Sequence, residues 1–154
     1  MTSCLFSCVR IDCSSSIDKT YSITGFDALD VSHAFEVELI PSDKESVELR
    51  IPADAEKYVV VEKKGSTLRI GMKKGQTYHF VKRGKESCLK AYVSFKEMKE
   101  ISGSGASEID MNGTYAVPEQ NMKIELSGAS DFKGNILEVN RLTVDLSGAS
   151  ELKG

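Results

Sequence analysis

The sequence predicts an all-β fold whose C-terminal part coils as a β-helix-like solenoid with rungs of about 20 residues. Its N-terminal part is rich in strands and hairpins. Three observations predict this. From Tyr21 onward apolar and polar residues alternate with a period of two. No long amphipathic helix is encoded anywhere. The C-terminal third repeats itself at a fixed offset.

Ala34–Ile40 alternates apolar and acidic residues and runs into the turn signal Pro41-Ser42-Asp43-Lys44; Val47–Ile51 alternates again and stops at Pro52. Residues 52–57 hold the best helical signal, with Pro at an N-terminal position and acids in the first turn, but it is one or two turns long at most. Tyr58–Glu62, a Lys63-Lys64-Gly65-Ser66 loop and Thr67–Met72 form a hairpin pattern. A basic, polar stretch follows from Lys73 to Lys90, with Gly75 and Gly84 as breakers. Ala91–Phe95 resumes the alternation.

Ile124–Gly134 is echoed by Val144–Gly154 at an offset of 20 residues, and Ser104–Ile109 is an earlier copy 23 residues before its counterpart. Val31–Phe35 reads as a degenerate fourth copy. Twenty residues are too few for a domain but enough for one rung of a stacked coil. Stacking predicts internal columns of Ile101, Ile124 and Val144, of Ile109, Phe132 and Leu152, and a third of Ala106, Ala129 and Ala149 where the walls approach closely. The Ser-Gly-Ala-Ser segments supply tight bends, and their hydroxyls are expected to bond backbone between rungs.

Ile23–Val37, Gly65–Ile70 and the repeated Ser-Gly-Ala-Ser segments together resemble the auto-transporter adhesin, head GIN domain family, over residues 21–154. The resemblance implies a right-handed β-helix-like fold of the kind carried by exported lipoproteins of Bacteroidetes, and thus a place in the cell envelope, in the periplasm or on the outer surface. It brings no catalytic motif. Against its pattern, Gly154 falls in mid-repeat, so residues 21–154 are expected to be one domain truncated at its C-terminus, with the last rung left open to pair with a second copy. Residues 1–20 are expected to be disordered or the remnant of an export segment, since Leu5-Phe6-Ser7-Cys8 loosely resembles a lipidation signal without its basic and apolar lead.

No apolar run approaches the roughly 18–20 residues of a membrane-spanning helix. The net charge of −3 argues against specific nucleic-acid binding, yet residues 57–99 carry twelve Lys or Arg against three Asp or Glu, while the remainder is strongly acidic. Cys4, Cys8 and Cys13 crowd the N-terminus and Cys88 stands alone. That spacing holds no zinc pattern, and with three of the four outside patterned segments no disulfide scaffold is expected. Neither metal nor cofactor is expected.

Two candidate sites emerge. Lys73, Lys74, Lys82 and Arg83 interleave with Tyr78 and Phe80 in a basic, aromatic surface suited to an acidic glycan, a lipid headgroup or a surface protein. Glu108, Asp131 and Glu151 occupy equivalent repeat positions and stack as an acidic stripe, a solvated face that also has the residue type of glycoside hydrolysis. His33 and His79, the two histidines, fall outside the three clear copies, so the serine ladders lack a general base. The expected function is a non-enzymatic, adhesin-like ligand-binding module. The alternatives are a polysaccharide-active enzyme using the stacked carboxylates and a purely structural assembly module.

Overall fold

A computed structural model describes residues 8–82, 84 and 87–153 of the chain. The fold is all-β. Its strands are β1 (Cys8–Asp12), β2 (Ser16–Tyr21), β3 (Ala28–Val31), β4 (Phe35–Pro41), β5 (Ser46–Pro52), β6 (Val59–Lys64), β7 (Thr67–Met72), β8 (Thr77–Val81), β9 (Leu89–Phe95), β10 (Glu100–Gly103), β11 (Glu108–Leu126), β12 (Asp131–Leu146) and β13 (Glu151–Lys153). The short helical signal becomes a single 3-10 turn at Ala53–Ala55, entered through extended Pro52.

The long strands β11 and β12 each take part in two hydrogen-bonded ladders. On one side lie β6, β7, β3 and β10, then the second halves of β11 and β12. On the other lie β2, β5, β9 and β4, then the first halves of β11 and β12, and finally β13. The repeats pair in parallel and in register. Ile101 faces Ile124 and Ile124 faces Val144, while Ile109, Phe132 and Leu152 align in turn. The degenerate copy joins them, because Val31 pairs with Gly103 and Glu36 with Glu108.

Alternation decides what is buried. Leu29, Val31, Val37, Leu39, Ile101, Ile109 and Ile124 are at most 1% exposed, and the polar residues between them face out. In the last copy the same positions are open: Leu142, Val144 and Leu146 are 42%, 40% and 43% exposed. Near the middle of β11 the core admits a polar group. Tyr115 packs edge-on against Phe95, with centroids 5.3 Å apart, and shares hydrogen bonds with Gln120 and the backbone of Met98.

Each tight turn between ladders has one left-handed residue: His33 (φ 65°), Gly105 (70°), Gly128 (68°) and Gly148 (69°). These residues stack, the amide after each glycine donating to the carbonyl below: Ala106 to His33, Ala129 to Gly105 and Ala149 to Gly128, all at 2.8 Å. A β-carbon on Gly128 would lie 2.6 Å from the Gly105 oxygen, so only glycine fits. This reversal corrects the expected alanine column. Ala106, Ala129 and Ala149 are exposed, and the residues turned inward are Ser107 and Ser130. Ser107 and Ser150 donate to the carbonyls of Ser104 and Ser147 within their own turns, each at 2.7 Å. Of the bonds expected between rungs, Ser107 reaches the His33 carbonyl at 3.2 Å, while the buried Ser130 hydroxyl has no partner among the described residues.

The N-terminus also departs from expectation. Residues 8–20 belong to the segment expected to be disordered or an export remnant, yet two strands form there, β2 ending at Tyr21: β2 runs antiparallel to β5, and β1 runs parallel to β8. The alternation Val9, Ile11 is the reason, since Ile11 is fully buried. β8 itself lies inside the stretch expected to be an irregular basic segment. The pairing carries Cys13 beside Cys88, and the two form a disulfide with Cα atoms 5.9 Å apart. Cys8 is disulfide-bonded as well. The expectation of no disulfide framework fails because it treated the N-terminal cysteines as unstructured.

Candidate functional site

The turn that leaves β3 builds the site. His33 is the one non-glycine in the left-handed column, and its ring explains the exception. β7 runs alongside β3 and ends at Met72 with no copy of the turn beneath it. The Met72 N–H therefore lacks the carbonyl that the later turns provide. It donates instead to His33 Nδ1 at 3.2 Å, and the Ser32 hydroxyl lies 3.0 Å from the same nitrogen. Gly71 leaves the room that the Ser32 hydroxyl occupies. Burial, helped by the charge of Lys74, holds the imidazole below its ordinary pKa, which keeps Nδ1 an acceptor.

Above the ring an aromatic cluster forms. Tyr78 meets His33 edge-on at 5.8 Å and Tyr58 at 5.7 Å, and Phe80 lies 6.5 Å further along β8. Tyr78 is locked by its hydroxyl, which donates to the Lys73 carbonyl at 2.7 Å. Burial, with a smaller contribution from Tyr58, raises its pKa and keeps the phenol protonated. Lys57 sits over the Tyr58 ring with Nζ 5.3 Å from its centroid.

Beside the cluster opens a cavity of about 730 Å³ lined by Ser32, His33, Arg69, Lys73, Lys74 and Ser104, with Asp30 and Glu62 beside Arg69. Arg69 is held there by Glu62 at 3.3 Å and Asp30 at 3.7 Å. Lys73 and Lys74 are exposed at the mouth. The arrangement presents ammonium groups and hydroxyls around the fixed His33 ring. That suits recognition of an anionic group.

Of the basic, aromatic surface expected from sequence, Lys73, Lys74 and Tyr78 come together, and Phe80 joins through Tyr78. Lys82 lies exposed past the end of β8, away from the cavity, and Arg83 lies outside the described residues. His33, Tyr58 and Arg69 were missed. The signal for His33 was present in the match of Ser32-His33-Ala34 to Ser104-Gly105-Ala106, which places it in the turn column after all.

Glu108, Asp131 and Glu151 align in register on neighbouring strands, with Glu36 before them. Glu108 and Glu151 are exposed and Asp131 is half-buried, side by side on one sheet face. Glu151 pairs with Lys153 at 3.4 Å. They do not face each other across a cleft, the arrangement that would place one carboxyl on each side of a glycosidic bond.

Comparison with solved structures finds the same fold. A putative adhesin from Parabacteroides merdae superposes with a TM-score of 0.78 at 17% identity over 95% of this chain. A putative adhesin from Parabacteroides distasonis gives 0.77 at 18% over 93%. The chain spans 58% of the length of each. A putative lipid binding protein from Parabacteroides distasonis gives 0.68 at 21% identity, over 93% of this chain and 68% of that one. No curated protein matches the chain. The family model described as "Putative auto-transporter adhesin, head GIN domain" matches residues 25–154, almost the whole of both ladders, and the chain belongs to that family.

Proposed function

We propose that the protein is a non-enzymatic, exported adhesin-like module that binds an anionic ligand, a lipid headgroup or an acidic glycan, at the His33–Lys74 cavity. One observation carries the reading: Lys73 and Lys74 line the same cavity as the His33 ring, which is fixed by the Met72 N–H and by its edge-on contact with Tyr78. Preorganisation of this kind lowers the entropic cost of binding. The family supports an adhesin-like role, and the name of the lipid-binding neighbour supports the headgroup arm. The Cys13–Cys88 disulfide fits an oxidising, extracytoplasmic compartment. In the same reading the in-register repeats are rungs of a right-handed β-helix, residues 21–154 are a single domain, and the open face of Leu142, Val144 and Leu146 is where a further rung or a second copy packs.

Vesicles of phosphatidylglycerol and a heparin hexasaccharide separate the two ligand sources. Charge reversal with Lys73→Glu and Lys74→Glu is expected to weaken binding to the preferred probe by about tenfold or more and to flatten its salt dependence. Binding to neither probe, or binding indifferent to both substitutions, would overturn the reading.

A further inference from the structure

We propose a second binding site on the opposite ladder, a groove that takes a neutral, hydroxyl-rich oligosaccharide. It goes beyond the anion-binding reading and uses none of the same residues.

The groove encloses about 600 Å³ on the outer face of β4, β9, β11 and β12. Parallel register sets its working row: Tyr92, Glu38, Asp110, Lys133 and Lys153 lie side by side on successive strands, with strand spacings of about 4.8 Å. Two carboxylates and two ammonium groups balance along that row. A charged ligand thus gains no net attraction, and a phosphate or sulfate reaching the lysines meets Asp110 beside them. A neutral ligand with many hydroxyls uses both kinds of group, since carboxylates accept and ammonium groups donate.

Two details point to a ligand rather than an ion-pair network. Asp110 and Lys133 are direct neighbours in register, yet among the described residues neither forms an ion pair within 4.0 Å. Glu38 is oriented by Asn112, whose Nδ2 donates to Oε1 at 2.6 Å, leaving its second oxygen available to accept. A carboxylate aligned by an amide is a suitable acceptor for adjacent sugar hydroxyls.

Tyr92 supplies the apolar surface. It is half-buried and outward-facing on β9, next to Glu38. Its ring can cover the C–H face of a pyranose while the hydroxyl stays wet. Gly134 keeps the floor low, because a β-carbon there would lie 2.7 Å from that of Met111.

The test is an amide-shift titration of the ¹⁵N-labelled protein with cellohexaose, xylohexaose and mannohexaose. At least one is expected to give saturable shifts at Tyr92, Asp110, Asn112 and Lys133. Tyr92→Ala should weaken that binding about tenfold, whereas Tyr92→Phe should retain most of it. Asp110→Asn, at an exposed position, gives an independent loss if Tyr92→Ala does not fold. Absence of saturable shifts at these amides with all three probes overturns the proposal, and so do shifts that survive both Tyr92→Ala and Asp110→Asn. A heparin hexasaccharide, which belongs to the other cavity, is expected to leave these amides unmoved. Failure of one site is therefore distinguishable from failure of the other.

Discussion

The phenol of Tyr115 donates to Oε1 of Gln120 at 3.3 Å, and between them the two side chains satisfy both backbone groups of Met98. The Met98 N–H donates to the Tyr115 oxygen at 2.9 Å, and Gln120 Nε2 donates to the Met98 carbonyl at 2.6 Å. All three residues are buried, at 4%, 8% and 0% exposure. A buried network of this kind is favourable only while complete. Tyr115→Phe keeps the ring against Phe95 but strands a buried amide and a buried carboxamide. It is expected to cost about 1–3 kcal/mol in urea unfolding, with binding at both surfaces unchanged in the folded protein.

The turn column makes a sharper prediction. Gly128→Ala forces a β-carbon into the left-handed region and against the Gly105 carbonyl, and should cost at least about 1–2 kcal/mol. At His33 two requirements compete, tolerance of positive φ and an acceptor for the Met72 N–H. His33→Asn retains both in part, His33→Gly keeps only the first, and His33→Ala keeps neither. Chemical denaturation should rank the stabilities wild type, Asn, Gly, Ala in descending order.

Acid should act through the same ring. Burial, then Lys74, lowers the His33 pKa in the folded state relative to 6.5. The unfolded chain therefore takes up the proton first. The stability this residue contributes is whole above about pH 6.5 and is lost as pH falls from there through the folded-state value. Protonation also removes the acceptor for Met72. Unfolding free energies followed from neutral pH to about 5 should fall more steeply in the wild type than in His33→Asn. Equal slopes would remove His33 from the account.

Reduction is the fourth test. The Cys13–Cys88 bond closes a loop with a sequence separation of 75. On the chain-entropy argument it contributes about 4 kcal/mol. A Cys13→Ser, Cys88→Ser double variant should unfold at correspondingly lower denaturant, with amide exchange rising first in β1 and β8. That ribbon pairs only with itself among the described strands.

The C-terminal ladders were legible in sequence because repetition writes register directly. Once Ile124 and Val144 occupy equivalent positions, stacking aligns Glu108, Asp131 and Glu151 as well. The hairpin of β6 and β7 was legible for the same local reason, its strands being separated by Gly65-Ser66. β1 and β8 were not. Each is five residues long, neither has a copy, and their partnership spans most of the first half of the chain. Local alternation marks such segments as strands but cannot choose their partners. The cavity was half legible. Lys73, Lys74 and Tyr78 are close in sequence and stay close in space. His33 and Arg69 reach them through the parallel pairing of β3 with β7, a relation between elements 39 residues apart that no local pattern encodes.

The Cys13–Cys88 bond has a mechanical side. Tension applied across the chain passes from residue 13 to residue 88 through the covalent bridge, bypassing β2 to β8. Peeling can then advance only through the strands outside the bridged segment. At about 3.4 Å per extended residue, the enclosed segment, 75 residues in separation, withholds roughly 250 Å of slack. Under load the oxidised segment is thus a short tether, and a reducing agent would convert it into a long one.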